Sequence, residues 1–356
     1  MNTATADSEL TNLLLEQADR LLRAEVTREV LARADAGACP TPLWEICEQA
    51  GLPAALLPEA AGGAGIAMAD GMRLVRQLGY HAVPLPLAET MLAQALWSAA
   101  GGAPVTGSMT LVAESLALRR RGVRYTLAGR ASRVPWGTAV QHLLLEAHDE
   151  DGLRLVLVPQ SALSGKAVGE PVRNLAFEPR DTIDFDAVEV DEAMVRQAPR
   201  QLLFALGALM RAQQMAGAME RCLDFAVSYA MERRQFGRPI AKFQAIQHML
   251  AEAAGHYAAA VAAADLGADA WGGAQFEFAV AAAKSRVGEA AGKVAAIVHQ
   301  VHGAMGFTQE HPLHFSTRRL WSWRDEFGGE GHWQTRLGHL VCAAGGSALW
   351  PALTAD

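Results

Sequence analysis

Tyr229-Ala-Met-Glu-Arg-Arg-Gln-Phe-Gly-Arg-Pro-Ile-Ala-Lys-Phe-Gln-Ala-Ile-Gln-His-Met-Leu250 reads as a helix, a sharp turn and a second helix. Ahead of it Leu202, Leu203, Leu206, Leu209 and Met210 recur at helical spacing, so the chain reaches Tyr229 already helical. Gly237 stands where a helix C-terminus favours a residue tolerant of positive φ, and Pro239 where a new helix tolerates proline. Beyond the turn Phe243, Ile246 and Leu250 fall at the i, i+3 and i+7 positions of an apolar stripe. The turn crowds Arg233, Arg234 and Arg238 beside Gln235 and Phe236. Guanidinium groups so placed can clamp a pyrophosphate bidentately while ring and amide hold a heterocycle. The same charges can instead answer the C-terminal dipole of the first helix from solvent.

The flanking chain changes period twice. Leu10, Leu13, Leu14 and Leu21 start an amphipathic helix, and Leu43 to Ala50 gives a short one that Gly51 and Pro53 stop. Asp70 is expected to cap a helix through Leu78 and Gly79, and Pro84 and Pro86 precede a helix over Glu89 to Ala99. Between them Gly62-Gly63-Ala64-Gly65 fits neither G-x-G-x-x-G nor G-x-x-x-x-G-K-[ST], so it reads as architecture. From Thr106 the pattern alternates: Thr110-Leu-Val, Val123-Arg-Tyr-Thr-Leu, His142-Leu-Leu-Leu-Glu, Leu153-Arg-Leu-Val-Leu-Val and Thr182-Ile-Asp-Phe-Asp read as strands. Past Pro199 helices return, over roughly 200–232, 239–268 and 275–303. The expected division is a helical domain over 1–105, a β domain over 106–195 and a second helical domain over 196–356.

Composition narrows the function. Hydrophobic residues make up 51% and charged residues 19% of 356, a globular balance with ample material for a core. A formal net charge of -7 and the lack of a long basic run argue against nucleic-acid binding. Cys39, Cys47, Cys222 and Cys342 show no C-x-x-C pairing, so no metal site is expected and inert thiols in a reducing cytoplasm are. Residues 1–23 lack the apolar core of a signal peptide, and the alanine-rich Tyr257–Ala274 stretch carries too little hydrophobicity for a membrane span.

The order Tyr229-Ala-x-Glu-Arg-x-Gln-Phe-Gly-x-Pro-Ile-x-x-Phe-Gln-x-x-Gln resembles the signature of the acyl-CoA dehydrogenase family. Gln300-Val-His-Gly-Ala-Met-Gly-Phe-Thr-Gln-Glu-His-Pro-Leu313 resembles its Q-x-x-G-G-x-G-F/Y-x-x-E-x-P block, with Ala304 in place of a glycine. Leu57-Pro-Glu-Ala-Ala-Gly-Gly-Ala-Gly65 resembles its P-E-x-x-G-G-x-G turn. The resemblance implies an α+β multidomain fold: an N-terminal helical domain, a β-barrel-like middle and a C-terminal four-helix bundle. It also implies FAD and an acyl-CoA substrate, with electron-transferring flavoprotein as acceptor. In the family a carboxylate removes the pro-R α-proton of the thioester, FAD takes the β-hydride and a 2-enoyl-CoA results.

Carried over residue by residue, the resemblance sets Arg233, Gln235 and Phe236, supported by Gln244, against the adenosine-pyrophosphate part of a neighbouring subunit's FAD. Gln300, Gly303 and Gly306 approach it from another helix end. The catalytic carboxylate is the gap. Its common family position falls on Phe327, which cannot take a proton; Glu326 is adjacent, with Asp325 and Glu330 as further candidates. The other family position falls near Gly207, with no acid from Ala198 to Gln214. As a plain surface acid, Glu326 would pair with Arg318, Arg319 or Arg324. The flavin-lining T-E-P-x-A-G-S-D loop has only Ala113-Glu-Ser-Leu116 in its place, and the W-I-[ST]-x-G strand survives as Val134-Pro-Trp-Gly137.

A chain with an intact donated turn but no base and no flavin loop resembles the short subunit of heteromeric acyl-CoA dehydrogenases, which serve bulky steroid or terpenoid side-chain thioesters. Two other readings stand beside that accessory role. One is a self-sufficient homo-oligomer using Glu326 as base; the other is a flavin-free binding or scaffold protein, which the intact Arg233 turn argues against.

Overall fold

The computed structural model describes residues 3–198, 200 and 202–354, and it sets helices at both ends of the chain with strands between. The first helical part holds α1 (Thr3–Glu25), α2 (Arg28–Asp35), α3 (Thr41–Gln49), α4 (Met68–Tyr80) and α5 (Leu87–Ala99). Thr27 caps α2, its hydroxyl accepting from the Val30 N–H at 3.3 Å, and Pro86 turns the chain into α5. Asp70 is no cap. It sits inside the first turn of α4, after a capless Ala67, and pairs with Arg73. Its charge still suits that end of the helix. The glycine turn serves the fold: a Cβ on Gly63 would lie 2.1 Å from the Leu57 carbonyl oxygen.

The middle part holds β1 (Met109–Leu111), β2 (Leu116–Arg121), β3 (Arg124–Ala128), β4 (Arg130–Pro135), β5 (His142–Asp149), β6 (Gly152–Pro159), β7 (Arg180–Asp184), β8 (Val188–Asp191) and β9 (Val195–Gln197). One curled sheet runs β8-β3-β2-β5-β6-β9 with β1 beside β5, while β4 and β7 pair separately across a bulge. Alternation along β5 and β6 explains their apolar runs. Leu143, Leu145, Val156 and Val158 fill the sheet's own core, whereas Leu144, Leu155 and Leu157 on the opposite face enter the helical core with Met91 and Trp97. Thr90 of α5 ties the two together, exchanging hydrogen bonds with both backbone groups of Met109. The barrel-like middle expected from the resemblance is this curled sheet.

Leu203–Glu232 forms α6, and the amides of Leu202, just before it, and of Leu203 donate to the Glu146 carboxylate of β5 at 2.8 and 3.0 Å. α7 (Gln244–Asp269) and α8 (Phe276–His302) pack on α6 through small side chains such as Ala212, Ala218, Ala260, Ala264, Ala290 and Ala291. That close packing is what the alanine-rich composition serves. α9 (Leu313–Asp325), α10 (Glu330–Ala344) and α11 (Gly346–Thr354) complete the described chain. No described helix is long and apolar enough to cross a membrane, and all four cysteines are free.

Candidate cofactor and active site

The Tyr229–Leu250 junction is tighter than helix, turn, helix. α6 ends at Glu232, then β10 (Arg234–Gln235) and β11 (Arg238–Pro239) form a minimal hairpin whose two turn residues are Phe236 and Gly237. Their φ values of 51° and 81° make a left-handed two-residue turn, so Gly237 serves the hairpin and not a helix end. A short turn of 3-10 helix over Ile240–Lys242 then leads into α7, which begins at Gln244. The hairpin thrusts its side chains into solvent: Phe236 is 92% exposed, and Arg233, Arg234, Gln235 and Arg238 are exposed too. The Phe243 ring lies 4.3 Å from the Arg238 guanidinium carbon and meets the Phe236 ring edge-on, with centroids 6.1 Å apart. A large aromatic held left-handed and exposed to water is strained, and its edge contact with Phe243 offsets that only in part.

The Gln300 block lies against the same end of α6. Gln300 is exposed near the end of α8, Gly303 follows it at φ 59°, and Gly306 is buried where a Cβ would lie 2.9 Å from that of His302. The His302 ring stacks on Tyr229, with centroids 4.7 Å apart. Four residues on from Tyr229, the Arg233 N–H donates to the Tyr229 carbonyl at 2.8 Å. The two segments expected to face the cofactor thus share one floor.

The base position is closed. Phe327 is 5% exposed and held at φ 52°, and a Cβ built on Gly207 would lie 2.4 Å from its ring. Phe327 and Gly207, to which or near which the resemblance assigns the carboxylate, therefore touch, an aromatic ring at one filling the space that the missing side chain leaves at the other. Phe204 packs edge-on to the Phe327 ring, and Trp333 donates to the Phe327 carbonyl at 2.9 Å.

Glu326 is neither free nor a surface acid. Oε1 accepts from Arg180 at 2.7–2.8 Å and from the Asn174 amide at 3.2 Å, and Oε2 accepts from Arg211 at 2.7 Å. Arg318, Arg319 and Arg324, its expected partners, pair instead with Asp35, Glu178 and Glu330. Arg211 also reaches Glu89 at 2.8 Å, and Arg180 reaches Glu178 at 2.9 Å. Three carboxylates (Glu89, Glu178, Glu326) and three guanidinium groups (Arg180, Arg211, Arg319) form one neutral network. All but Glu326 are nearly fully buried.

Charge holds that network in one protonation state. Burial alone would push the Glu178 carboxyl up, but Arg319, Arg180 and Arg211 outweigh it and bring it down to about 2. Burial would likewise lower Arg211, and Glu326 and Glu89 raise it instead. With each oxygen of Glu326 held by a guanidinium group, the carboxylate is stabilised as an ion and is a poor acceptor for the proton of an approaching C–H. Beside it the buried Lys284 gives its protons to the carbonyls of Trp323, Arg324 and Gly328 at 3.3, 2.6 and 2.8 Å, pinning the segment that carries Glu326 and Phe327.

Sequence reasoning missed Glu89, Glu178, Arg180, Arg211 and Lys284. A signal existed for three of them: Glu89, Arg211 and Lys284 are lone charges inside apolar or alanine-rich helical runs. A charge so placed is buried only with a partner. The middle part is also short where the resemblance leads to the expectation of a flavin loop. Four residues join β1 to β2, and Glu114 among them accepts from the Ser132 N–H at 2.8 Å. Trp136, in the turn that follows β4, borders a cavity of about 160 Å³ whose lining includes Pro40, Pro86, Phe177 and Arg319.

Comparison with known proteins agrees with this architecture. The N-terminal domain of acyl-CoA dehydrogenases matches residues 8–103, and their C-terminal domain residues 200–324. The chain is 31% identical over 284 residues to acyl-CoA dehydrogenase IpdE2 of Mycobacterium tuberculosis, covering 78% of this chain and 79% of that one. The ChsE4–ChsE5 complex of Mycobacterium tuberculosis contains a chain of the same fold, with a TM-score of 0.85 at 22% identity over 94% of this chain and 97% of that one. A chain of the Tcur3481–Tcur3483 steroid acyl-CoA dehydrogenase superposes with a TM-score of 0.83 at 25% identity, over 95% and 99%.

Proposed function

This chain belongs to the acyl-CoA dehydrogenase family, and from that premise we propose that it is the base-poor accessory chain of a heteromeric enzyme that desaturates a bulky acyl-CoA thioester. The observation that carries the proposal is the Phe327 ring packed on Gly207, beside a Glu326 whose two oxygens are held by Arg180 and Arg211. A partner chain then supplies the carboxylate that takes the α-proton. The two-chain steroid enzyme of the same fold supports both the heteromer and a substrate of steroid-like bulk.

The residues present fit half of a flavin site. The exposed hairpin offers Arg233 to a pyrophosphate and Phe236 and Gln235 to a heterocycle, from a left-handed turn whose Phe236 ring is 92% exposed and touches only the edge of Phe243 among the described aromatic rings. Gln244 stands at the first turn of α7 behind it, and Gln300, Gly303 and Gly306 sit across the Tyr229–His302 stack. These groups would hold the adenosine-pyrophosphate part of FAD lodged on a partner, where the flavin, when bound, accepts the hydride. For the flavin ring itself this chain offers little, since the β1–β2 link is short and Phe327 fills the base position. Electron-transferring flavoprotein is the acceptor that membership of the family implies, and four free thiols support a reducing cytoplasm.

The visible spectrum tests the proposal. Purified alone, the chain should carry little flavin; co-expressed with a full-length dehydrogenase chain, it should yield a yellow, active complex. A stoichiometrically flavinylated single chain would overturn the accessory role. Flavin-free preparations under both conditions would favour a scaffold protein.

A further inference from the structure

We propose that the cavity of about 160 Å³ beside Trp136 is a binding site for a small carboxylate whose apolar body is one ring in size. It lies where the α2–α3 link, the turn before α5, the turn after β4, the approach to β7 and α9 meet. Pro40, Leu85 and Pro86 give it an apolar wall, and Trp136 and Phe177 bring aromatic rings to it. A cavity of about 150 Å³ takes up benzene, so one ring fits here and the three fused rings of a flavin do not. Both aromatic residues hold a costly backbone conformation, with φ of 56° at Trp136 and 59° at Phe177. Strain of that kind persists where neighbours fix it, and it concentrates at ligand sites. Here the Trp136 N–H donates to the Pro179 carbonyl at 3.1 Å, tying the two ring-bearing turns together, and Arg318 lies 4.6 Å from the Phe177 ring.

Charge selects the ligand. Arg319 lines the cavity at 1% exposure, and among the described residues its guanidinium makes a single hydrogen bond, from Nη1 to the Phe315 carbonyl at 3.0 Å. Its Nε stands 3.2 Å from Glu178 Oε1 but is not aligned to donate, and it is buried without an acceptor. Glu178 therefore balances the charge of Arg319 and leaves N–H groups unspent. Arg173 lines the same cavity from an exposed position and donates to the Asp35 carbonyl at 3.0 Å. Gly37 makes room for it, since a Cβ there would lie 2.6 Å from Arg173 Nη2. Among the described residues Arg173 pairs with no carboxylate, because Asp35 is taken by Arg318 and Glu178 by Arg180. One cation without a counter-charge and one buried guanidinium with donors to spare are both answered by a carboxylate. A neutral ring or a cation answers neither.

Titration of the full chain with benzoate at pH 7, followed by saturation-transfer NMR, tests the site without flavin or partner. Benzoate should bind with a Kd on the order of 1 mM or tighter. Benzyl alcohol keeps the ring without the charge, and acetate keeps the charge without the ring; each should bind at least about tenfold more weakly. Arg173→Ala, at an exposed side chain, should weaken benzoate about fivefold to tenfold and leave benzyl alcohol unchanged. Ala139→Leu fills the cavity from an exposed position on its lining and should abolish benzoate binding while the chain keeps its unfolding midpoint. Equal affinity for benzoate and benzyl alcohol overturns the inference, as does benzoate binding that survives Ala139→Leu or ignores Arg173→Ala. A chain that binds none of the three probes has a cavity for water only, and that result overturns it too.

Discussion

Arg211→Met removes the cation at the centre of the buried network while keeping an unbranched side chain of similar length. Arg211 and Glu89 are each 1% exposed, and among the described residues Glu89 has no other anchor: Oε1 accepts from Arg211 at 2.8 Å, and Oε2 has no partner. Glu326 keeps Arg180 and Asn174. The cost is therefore mainly that of leaving Glu89 as an unpaired buried carboxylate, about 3–5 kcal/mol. Against a typical stability of about 5–15 kcal/mol, that is a large fraction. Urea unfolding followed by far-UV circular dichroism measures it. Glu89→Leu combined with Arg211→Met should regain most of the loss, since removing both charges also removes the desolvation penalty. A single variant within about 1 kcal/mol of wild type, or a double variant no better than the single one, would refute the claim that these charges depend on each other.

Four further outcomes follow from the same contacts. Glu326→Gln should leave turnover of the assembled enzyme near normal while lowering the midpoint of unfolding; a loss of roughly 10³-fold in rate would make Glu326 the base after all. Phe327→Glu should confer no activity on the chain alone and should cost about 3–5 kcal/mol in thermal unfolding, from lost aromatic packing and a buried charge. Arg233→Ala should weaken flavin retention in the complex by about 2–4 kcal/mol without shifting the unfolding midpoint of the free chain, because the side chain is exposed. Glu178, held at about 2 against an ordinary 4.5, binds fewer protons folded than unfolded between those values. Its contribution is full above pH 4.5 and is lost as pH falls toward 2, so Glu178→Gln should flatten that part of an acid-unfolding profile.

Periodicity carried the order of elements well, because each change of period follows from which faces are buried. The run His142-Leu-Leu-Leu-Glu reads as a strand, and the structure shows why it is apolar on both faces. The Arg233 hairpin was harder, since a two-residue left-handed turn at Phe236-Gly237 has no Asn-Gly or Asp-Gly to announce it. Which charges pair over long range was not legible. Glu326 meets Arg180 and Arg211 across 146 and 115 residues, and Glu89 meets Arg211 across 122. No local pattern ties such partners together, so nearer arginines looked like better matches. Phe327 was visible as a missing base, but its contact with Gly207 emerges only once α6 and the α9–α10 connection are side by side.

That contact bears on how the chain can be changed. If the carboxylate alone had been lost, a single substitution at either family position would restore it. Here each position blocks the other, for any side chain at Gly207 meets the Phe327 ring and removing the ring leaves a hole beside Arg211 and Glu326. A carboxylate set into that hole would stand close to cations already committed to Glu326, and would be held as an ion and not poised to take a proton. Making a base therefore requires dismantling the network as well, at the least Phe327→Glu together with Arg211→Met and Glu326→Gln. The triple variant leaves Glu89 unpaired unless Glu89→Leu is added. Only that fourth change should return a folded chain, so the quadruple variant should unfold at higher urea than the triple one by about 2–4 kcal/mol. Equal stability of the two would mean that Glu89 finds a counter-charge elsewhere and that the network is not one unit.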